Sequence, residues 1–125
     1  MYKYKAKVLE VYDADTLTLL IDIGFNIHIE EKCRLYGIDT PELRTKNKKE
    51  KALGYEARDF VMDLILGKEV EIQTHKGQKK GKFGRYLVDI VVPREDSKYV
   101  TLNNVLIDEG YAKPYFGEKK EEWVF

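Results

Sequence analysis

Two acidic stretches carry the side chains best suited to chemistry. One is Asp13-Ala14-Asp15-Thr16; the other is Arg34-Leu35-Tyr36-Gly37-Ile38-Asp39-Thr40-Pro41-Glu42. A hard divalent cation takes several oxygen ligands at about 2.0–2.6 Å, from carboxylates, backbone carbonyls and water. Asp15, Asp39 and the carbonyl of Thr40 are placed to supply three of them. Pro41 fixes its own φ and restricts Thr40, so that carbonyl has one preferred direction. An EF-hand is excluded. Counting from Asp13, the twelfth position is Gly24, where a bidentate Glu is required, and the sixth is Thr18, where Gly is required. Arg34 sits beside the acidic pocket, and Arg85 ends the segment Lys82-Phe83-Gly84-Arg85. Guanidinium forks match phosphate oxygens bidentately and stay charged at any working pH, so two of them beside a carboxylate-bound cation suit a phosphodiester. Glu42 lies two residues past Thr40, within reach of a proton on an attacking water. Taken singly, Asp-x-Asp reads as a turn, Arg34 as a salt bridge to Glu30 or a neighbouring acid, and Glu42 as a surface charge beside Arg44.

The elements that must position these residues follow from periodicity. Leu17, Leu19, Ile21 and Ile23 share one face of a strand, with Thr16, Thr18 and Asp22 on the other. After a turn at Gly24-Phe25-Asn26 the period of two resumes. Ile27, Ile29, Cys33 and Leu35 point one way; His28, Glu30, Lys32 and Arg34 point the other. Residues 4–12 add a first strand, completing an antiparallel meander. Ala57, Phe60, Val61, Leu64 and Ile65 form one helical stripe that stops at Gly67. Val70, Ile72 and Thr74, then Val88, Ile90 and Val92, predict two more strands with a basic Gly-rich loop at 76–84 between them. Thr101 is a plausible N-cap for a helix that buries Leu102, Val105 and Leu106 and ends at Gly110. The order β-β-β-α-β-β-α predicts a mainly β, α+β fold: a five-stranded OB-fold barrel, an architecture that commonly hosts oligonucleotides.

Composition bounds the rest. The 125 residues, 43% apolar and 35% charged, suit one domain over 1–125 that folds without a disulfide or metal staple. The single cysteine, Cys33, excludes an intramolecular disulfide framework and reads as a small core residue. His28 and His75 lie on polar faces without ligand-spaced partners, which argues against zinc. No apolar run spans a bilayer, and no signal-peptide pattern opens the chain. As written, this points to a cytoplasmic monomer without a membrane partner; removal of a leader would make it a secreted one. Twenty-two basic residues balance 22 acidic ones, so no global basic footprint exists. Locally, residues 44–51 carry five positive charges against one negative, and 75–85 carry five against none. Such loops attract a polyanion even on a neutral chain.

In combination the motifs resemble a known family. DADT at 13–16, RLYGIDTPE at 34–42, KFGR at 82–85 and LIDEGYAKPY at 106–115 follow one another as in the staphylococcal nucleases, or thermonucleases. The matching spans roughly residues 7–115; the second motif is specific, KFGR alone is weak, and all four in order are strong. The resemblance implies an OB-barrel enzyme that hydrolyses DNA and RNA with one Ca²⁺, cutting P–O5′ and leaving 3′-phosphates. Residue by residue, it makes Asp15, Asp39 and the Thr40 carbonyl metal ligands, Glu42 the general base, and Arg34 and Arg85 the phosphate-binding arginines. Lys82 matches a lysine that meets the 5′-side phosphate, Phe83 keeps a ring for packing against a nucleotide, and Tyr115 and Phe116 fall near family aromatics that stack on a base. Unpaired segments of DNA or RNA are the expected partners. Three departures stand out. Ala14 replaces a usual Gly, a costly change if that position needs positive φ. Phe83 stands where Tyr is common, keeping a ring but losing a hydroxyl. The tail ends EKKEEWVF, with Trp123 as a packing anchor. The competing reading is a non-catalytic OB-type module that binds nucleic acid or protein; a phosphodiesterase of small nucleotides would share every residue named.

Overall fold

The computed structural model describes residues 2–75, 85–93, 99–116 and 123–125. β1 (Lys3–Asp13), β2 (Thr16–Asp22) and β3 (His28–Leu35) form the expected antiparallel meander, with Val8 registered on Leu19 and Leu17 on Cys33. After helix α1 (Lys48–Ile65), β5 (Glu69–Thr74) and β6 (Tyr86–Val91) complete a closed five-stranded barrel of order β1-β2-β3-β6-β5. The last pairing is parallel: Cys33, Arg34 and Leu35 of β3 lie beside Tyr86, Leu87 and Val88 of β6. Helix α2 (Leu102–Asp108) starts at Thr101, whose hydroxyl accepts from Asn104 N at 3.2 Å. The OB-like α+β barrel expected from the strand pattern is the observed fold.

Inward residues from the strands and both helices form one core. Val8, Leu17, Leu19, Cys33, Leu35, Ile72 and Ile90 meet Val61 and Ile65 of α1 and Leu102 and Leu106 of α2, all buried. Slipping β2 by one residue would exchange Leu17 and Leu19 with Thr16 and Thr18 across the two faces and take the leucines out of the apolar core. That burial is what holds the register.

Four features depart from the sequence reading. Helix α1 begins at Lys48, well before its apolar stripe; Asn47 Oδ1 caps it, accepting from Lys49 N at 3.0 Å and Glu50 N at 3.2 Å. Thr16 and Thr18, placed on the polar face of β2, are buried, and Thr18 Oγ1 donates to Tyr12 Oη at 3.5 Å. Ile23, Ile27 and Ile29 were expected to share the apolar face but are exposed, because the β2–β3 hairpin runs beyond the core. Two short strands, β4 (Ile38–Asp39) and β7 (Lys113–Pro114), pair antiparallel beside the barrel and were not foreseen. Trp123 packs as expected of an anchor: it stacks on Phe125 at 6.2 Å, with Lys113 Nζ 5.0 Å from its ring centre.

Candidate active site

The two acidic stretches meet at one rim of the barrel. Asp13 of β1 is registered on Thr16 of β2, so Ala14 and Asp15 form the turn between them. Leu35 N donates to Asp15 O at 2.9 Å and ties that turn to the end of β3. Among the described residues, the non-glycine positions with positive φ are Phe25 and Asn26. Ala14 is therefore under no left-handed strain, and its methyl is buried in the core. The penalty feared for the Gly-to-Ala departure does not arise.

Arg34 leaves the outer face of β3 and reaches both carboxylates. Its Nη2 lies 3.5 Å from Asp15 Oδ2, 3.4 Å from Asp39 Oδ1 and 3.5 Å from the carbonyl of Ile38. The salt bridge expected to Glu30 or a neighbouring acid is thus made to Asp15 and Asp39. Thr16 Oγ1 donates to the other oxygen of Asp15 at 3.1 Å. Asp15 is only 6% exposed. Burial pushes its carboxyl above the usual range; Arg34 and the Thr16 hydroxyl pull it back, and the charges of Asp13 and Asp39 push it up again. Such a group gains from a cation close by. The donor chemistry fits a hard one, since Asp15 and Asp39 offer carboxylate oxygens and buried Thr40, next to Pro41, offers its carbonyl. Among the described residues no three His, Cys, Asp or Glu side chains gather into a cage, so further ligands would be carbonyls or water.

The remaining residues are placed by different elements. Glu42 is exposed, and its segment is fixed by the early turns of α1. Glu42 N donates to Glu50 Oε2 at 2.9 Å. Gly54 is buried against the same segment; a Cβ there would stand 2.9 Å from Leu43 Cδ2, 3.0 Å from Pro41 O and 3.2 Å from Glu42 O. The helix turns that periodicity overlooked thus set where Glu42 lies. Arg85 directly precedes Tyr86, which is registered on Cys33, and Arg34 is registered on Leu87. Leu87 therefore shares a face with Arg34, and Arg85 lies just before β6, the strand that runs parallel to β3. Tyr115 follows β7; its N–H donates to Gly37 O at 2.8 Å, and the Arg34 guanidinium lies 5.9 Å from its ring centre. Lys82 and Phe83 lie outside the described residues.

Sequence reasoning missed Asn103. This buried α2 residue donates from Nδ2 to Tyr36 O at 2.8 Å, Asp89 Oδ1 at 3.2 Å and Val88 O at 3.3 Å, while its Oδ1 accepts from Ile90 N at 3.3 Å. It binds the end of β3 to β6. The available signal was a polar side chain following Leu102 at the buried start of an amphipathic helix.

Comparison with known proteins agrees with this geometry. The family model described as staphylococcal nuclease homologue matches residues 32–123. An uncharacterized protein of Methanocaldococcus jannaschii is 30% identical over 97% of this chain and 65% of its own length. An uncharacterized protein of Bacillus anthracis is 32% identical over 90% of this chain and 46% of its own length. A thermonuclease of Staphylococcus hyicus is 30% identical over 88% and 59%. The chain thus spans between about half and two thirds of the length of these relatives.

Proposed function

The chain belongs to the staphylococcal nuclease family, and from that premise we propose that it is a Ca²⁺-dependent nuclease. It hydrolyses DNA and RNA at P–O5′ and leaves 3′-phosphates. The observation that carries this reading is the convergence of Asp15 and Asp39 on one nitrogen of Arg34 at the barrel rim. Asp15, Asp39 and the Thr40 carbonyl would hold the cation, which polarises the phosphoryl group when bound.

The chain's own groups supply the rest. Glu42, exposed on its braced segment, takes or orients the proton of the attacking water. The contacts of Arg34 to Asp15, Asp39 and Ile38 all use Nη2, and a guanidinium carries five N–H donors. The rest of the fork is directed to phosphate. Arg34, on β3, and Arg85, just before β6, neutralise charge as it grows on the equatorial oxygens, and Arg85 assists the leaving 5′-oxygen. Lys82, Phe83 and Tyr115 bind the flanking nucleotide. The protein acts as a monomer on unpaired strands.

The test is cleavage of single-stranded DNA with Ca²⁺ or a chelator, with Glu42→Gln and Arg85→Ala in parallel. Ca²⁺-dependent cleavage leaving 3′-phosphates, reduced on the order of 10²-fold or more in each variant, is expected. Intact DNA at protein concentrations that bind it would instead establish the non-catalytic binding module. Binding should weaken as salt rises, because each neutralised phosphate releases counterions.

A further inference from the structure

Away from the rim, β3 becomes an edge strand. β2 pairs with it from His28 to Arg34, but β6 meets it only at Cys33, Arg34 and Leu35. Among the described residues, no strand is paired with the far side of His28–Lys32. Backbone alternation fixes which groups face that side. Ile27 O accepts from Ile23 N at 3.0 Å and Leu35 N donates to Asp15 O at 2.9 Å, both on the β2 side. Tyr36 N donates the other way, to Val88 O of β6 at 2.9 Å. Odd residues thus turn their N–H and C=O groups to β2, and His28, Glu30 and Lys32 turn theirs outward.

The side chains of the stretch alternate as well. Ile27 and Ile29 continue the face of Cys33 and Leu35 and are 51% and 38% exposed. His28, Glu30 and Lys32 stand on the opposite face, all exposed. An unpaired edge flanked by exposed isoleucines is a template for another strand. A lipid surface would cover the isoleucines but leave the outward N–H and C=O groups without partners, whereas a strand satisfies both.

We infer that this edge pairs, antiparallel, with the same edge of a second copy of the chain, on a two-fold axis through Ile29. In that register His28 of each copy lies opposite Glu30 of the other. The two residues exchange backbone hydrogen bonds, and an imidazole meets a carboxylate. Ile29 faces Ile29, with Ile27 on the diagonal, so the isoleucines of both copies cover one another. Moving the axis one residue toward the rim sets Glu30 against Glu30. Moving it one residue toward the tip sets His28 against His28 and draws Asn26, in the turn at φ 60°, into the ladder. Charge on an edge usually guards against pairing; here it selects one register. So short an edge buries less than the about 1,000 Å² of a stable interface, so the pair is reversible. In dilute solution the chain stays a monomer, and each copy keeps its own complete rim. Antiparallel pairing points the two rims away from each other.

The test is sedimentation velocity of the full chain at rising concentration. A monomer–dimer equilibrium with a Kd of roughly 0.1–1 mM is expected. Ile29→Lys sets two ammonium groups against each other on the axis and should abolish it. His28→Lys should tighten the pair about 5- to 10-fold and His28→Glu should weaken it as much, because each change acts twice across the axis. Ile29→Cys should cross-link under mild oxidation, since opposed residues of a non-hydrogen-bonded pair have Cα atoms about 4.5 Å apart, within disulfide reach. Ile27→Cys should lag, although Ile27 is the more exposed, and buried Cys33 does not compete. Preferential cross-linking at Ile29 supports the pair even where it is too weak to sediment. A chain that stays monomeric and cross-links no faster at Ile29 than at Ile27 overturns it. So does a dimer that survives Ile29→Lys, or one that His28→Glu and His28→Lys affect alike. A monomer that pellets with vesicles of phosphatidylcholine and phosphatidylserine, and loses this in Ile29→Lys, would assign the tip to a membrane and overturn the pairing too. Cleavage by dilute Ile29→Lys should match wild type, so the nuclease reading stands or falls separately.

Discussion

The two ends of the β2–β3 hairpin break the rule of apolar inside and polar outside in opposite senses. At the rim end, Asp15, Thr16 and Asp39 are buried, and the carboxylates share the Arg34 guanidinium. At the tip, Ile23, Ile27 and Ile29 are exposed, and Phe25 is 97% exposed with φ 54°. Buried charge and left-handed backbone at a bulky residue are both costly. The middle of the hairpin tolerates both, because Leu17, Leu19, Cys33 and Leu35 lock the register between them. At the rim, desolvation strengthens every charge interaction that a phosphodiester and a cation would meet. At the tip, the cost is that of the turn itself: Phe25 and Asn26, both at positive φ, are the central pair of a two-residue hairpin turn closed by Ile27 N–H donating to Gly24 O at 2.9 Å.

The largest expected effect lies at the rim. Asp15→Asn should lower nuclease activity on the order of 10²-fold or more. It should leave the urea midpoint unchanged or raised, since a buried, desolvated charge is removed and Arg34 keeps Asp39. Initial rates and equilibrium unfolding on the same preparation check both. A large fall in stability would mean that the rim charges hold the fold, and the contrast with the tip would collapse.

The middle of the hairpin gives the next effect. Burial first, and the Glu31 charge second, push the Cys33 thiol from its ordinary 9.0 up to about 12. Folded protein should resist a thiol reagent at pH 8 until urea unfolds it, with thiolate roughly 10³-fold scarcer than in the open chain. The sign for stability follows. From pH 9 to 12 the folded state keeps a proton that the unfolded state has lost, so stability falls as pH rises. Unfolding at pH 8 and pH 10, compared with Cys33→Ala, should show a shallower fall in the variant. Rapid labelling of native protein would show that the middle opens.

The smallest effect belongs to the tip. Phe25→Asn keeps a residue that tolerates positive φ and removes a ring that is almost wholly in solvent. Stability should rise by roughly 0.5–1 kcal/mol, with nuclease activity unchanged. A loss of stability, measured by urea unfolding, would show that the tip ring packs against something in solution.

Much of the fold was legible because its elements bury one face each. The apolar positions Leu17, Leu19 and Ile21 of β2, Val70 and Ile72 of β5, Val88 and Ile90 of β6, and the helical stripe at Ala57, Val61 and Ile65 are buried as expected. Alternation failed where a strand outran the core: Ile27 and Ile29 keep the pattern of Cys33 and Leu35 with nothing above them to cover it. It failed again at Thr16 and Thr18, where burial extends to both faces. The start of α1 was missed because residues 48–56 carry Lys, Glu and Gly rather than a stripe, although those turns brace Glu42.

Local chemistry, written in consecutive residues, determined the five barrel strands, the helix stops and the DADT and RLYGIDTPE signatures. The tertiary structure decided what lies far apart in the chain. It closed β3 on β6 in parallel, which set Leu87 beside Arg34 and Arg85 just before the paired stretch. It paired β4 with β7, which brought Tyr115 and Phe116 to the rim. It gave Arg34 two carboxylates instead of Glu30, and it stacked His75 on Tyr36. Each of these depends on where the barrel closes, and closure is a property of the whole core that no local pattern encodes.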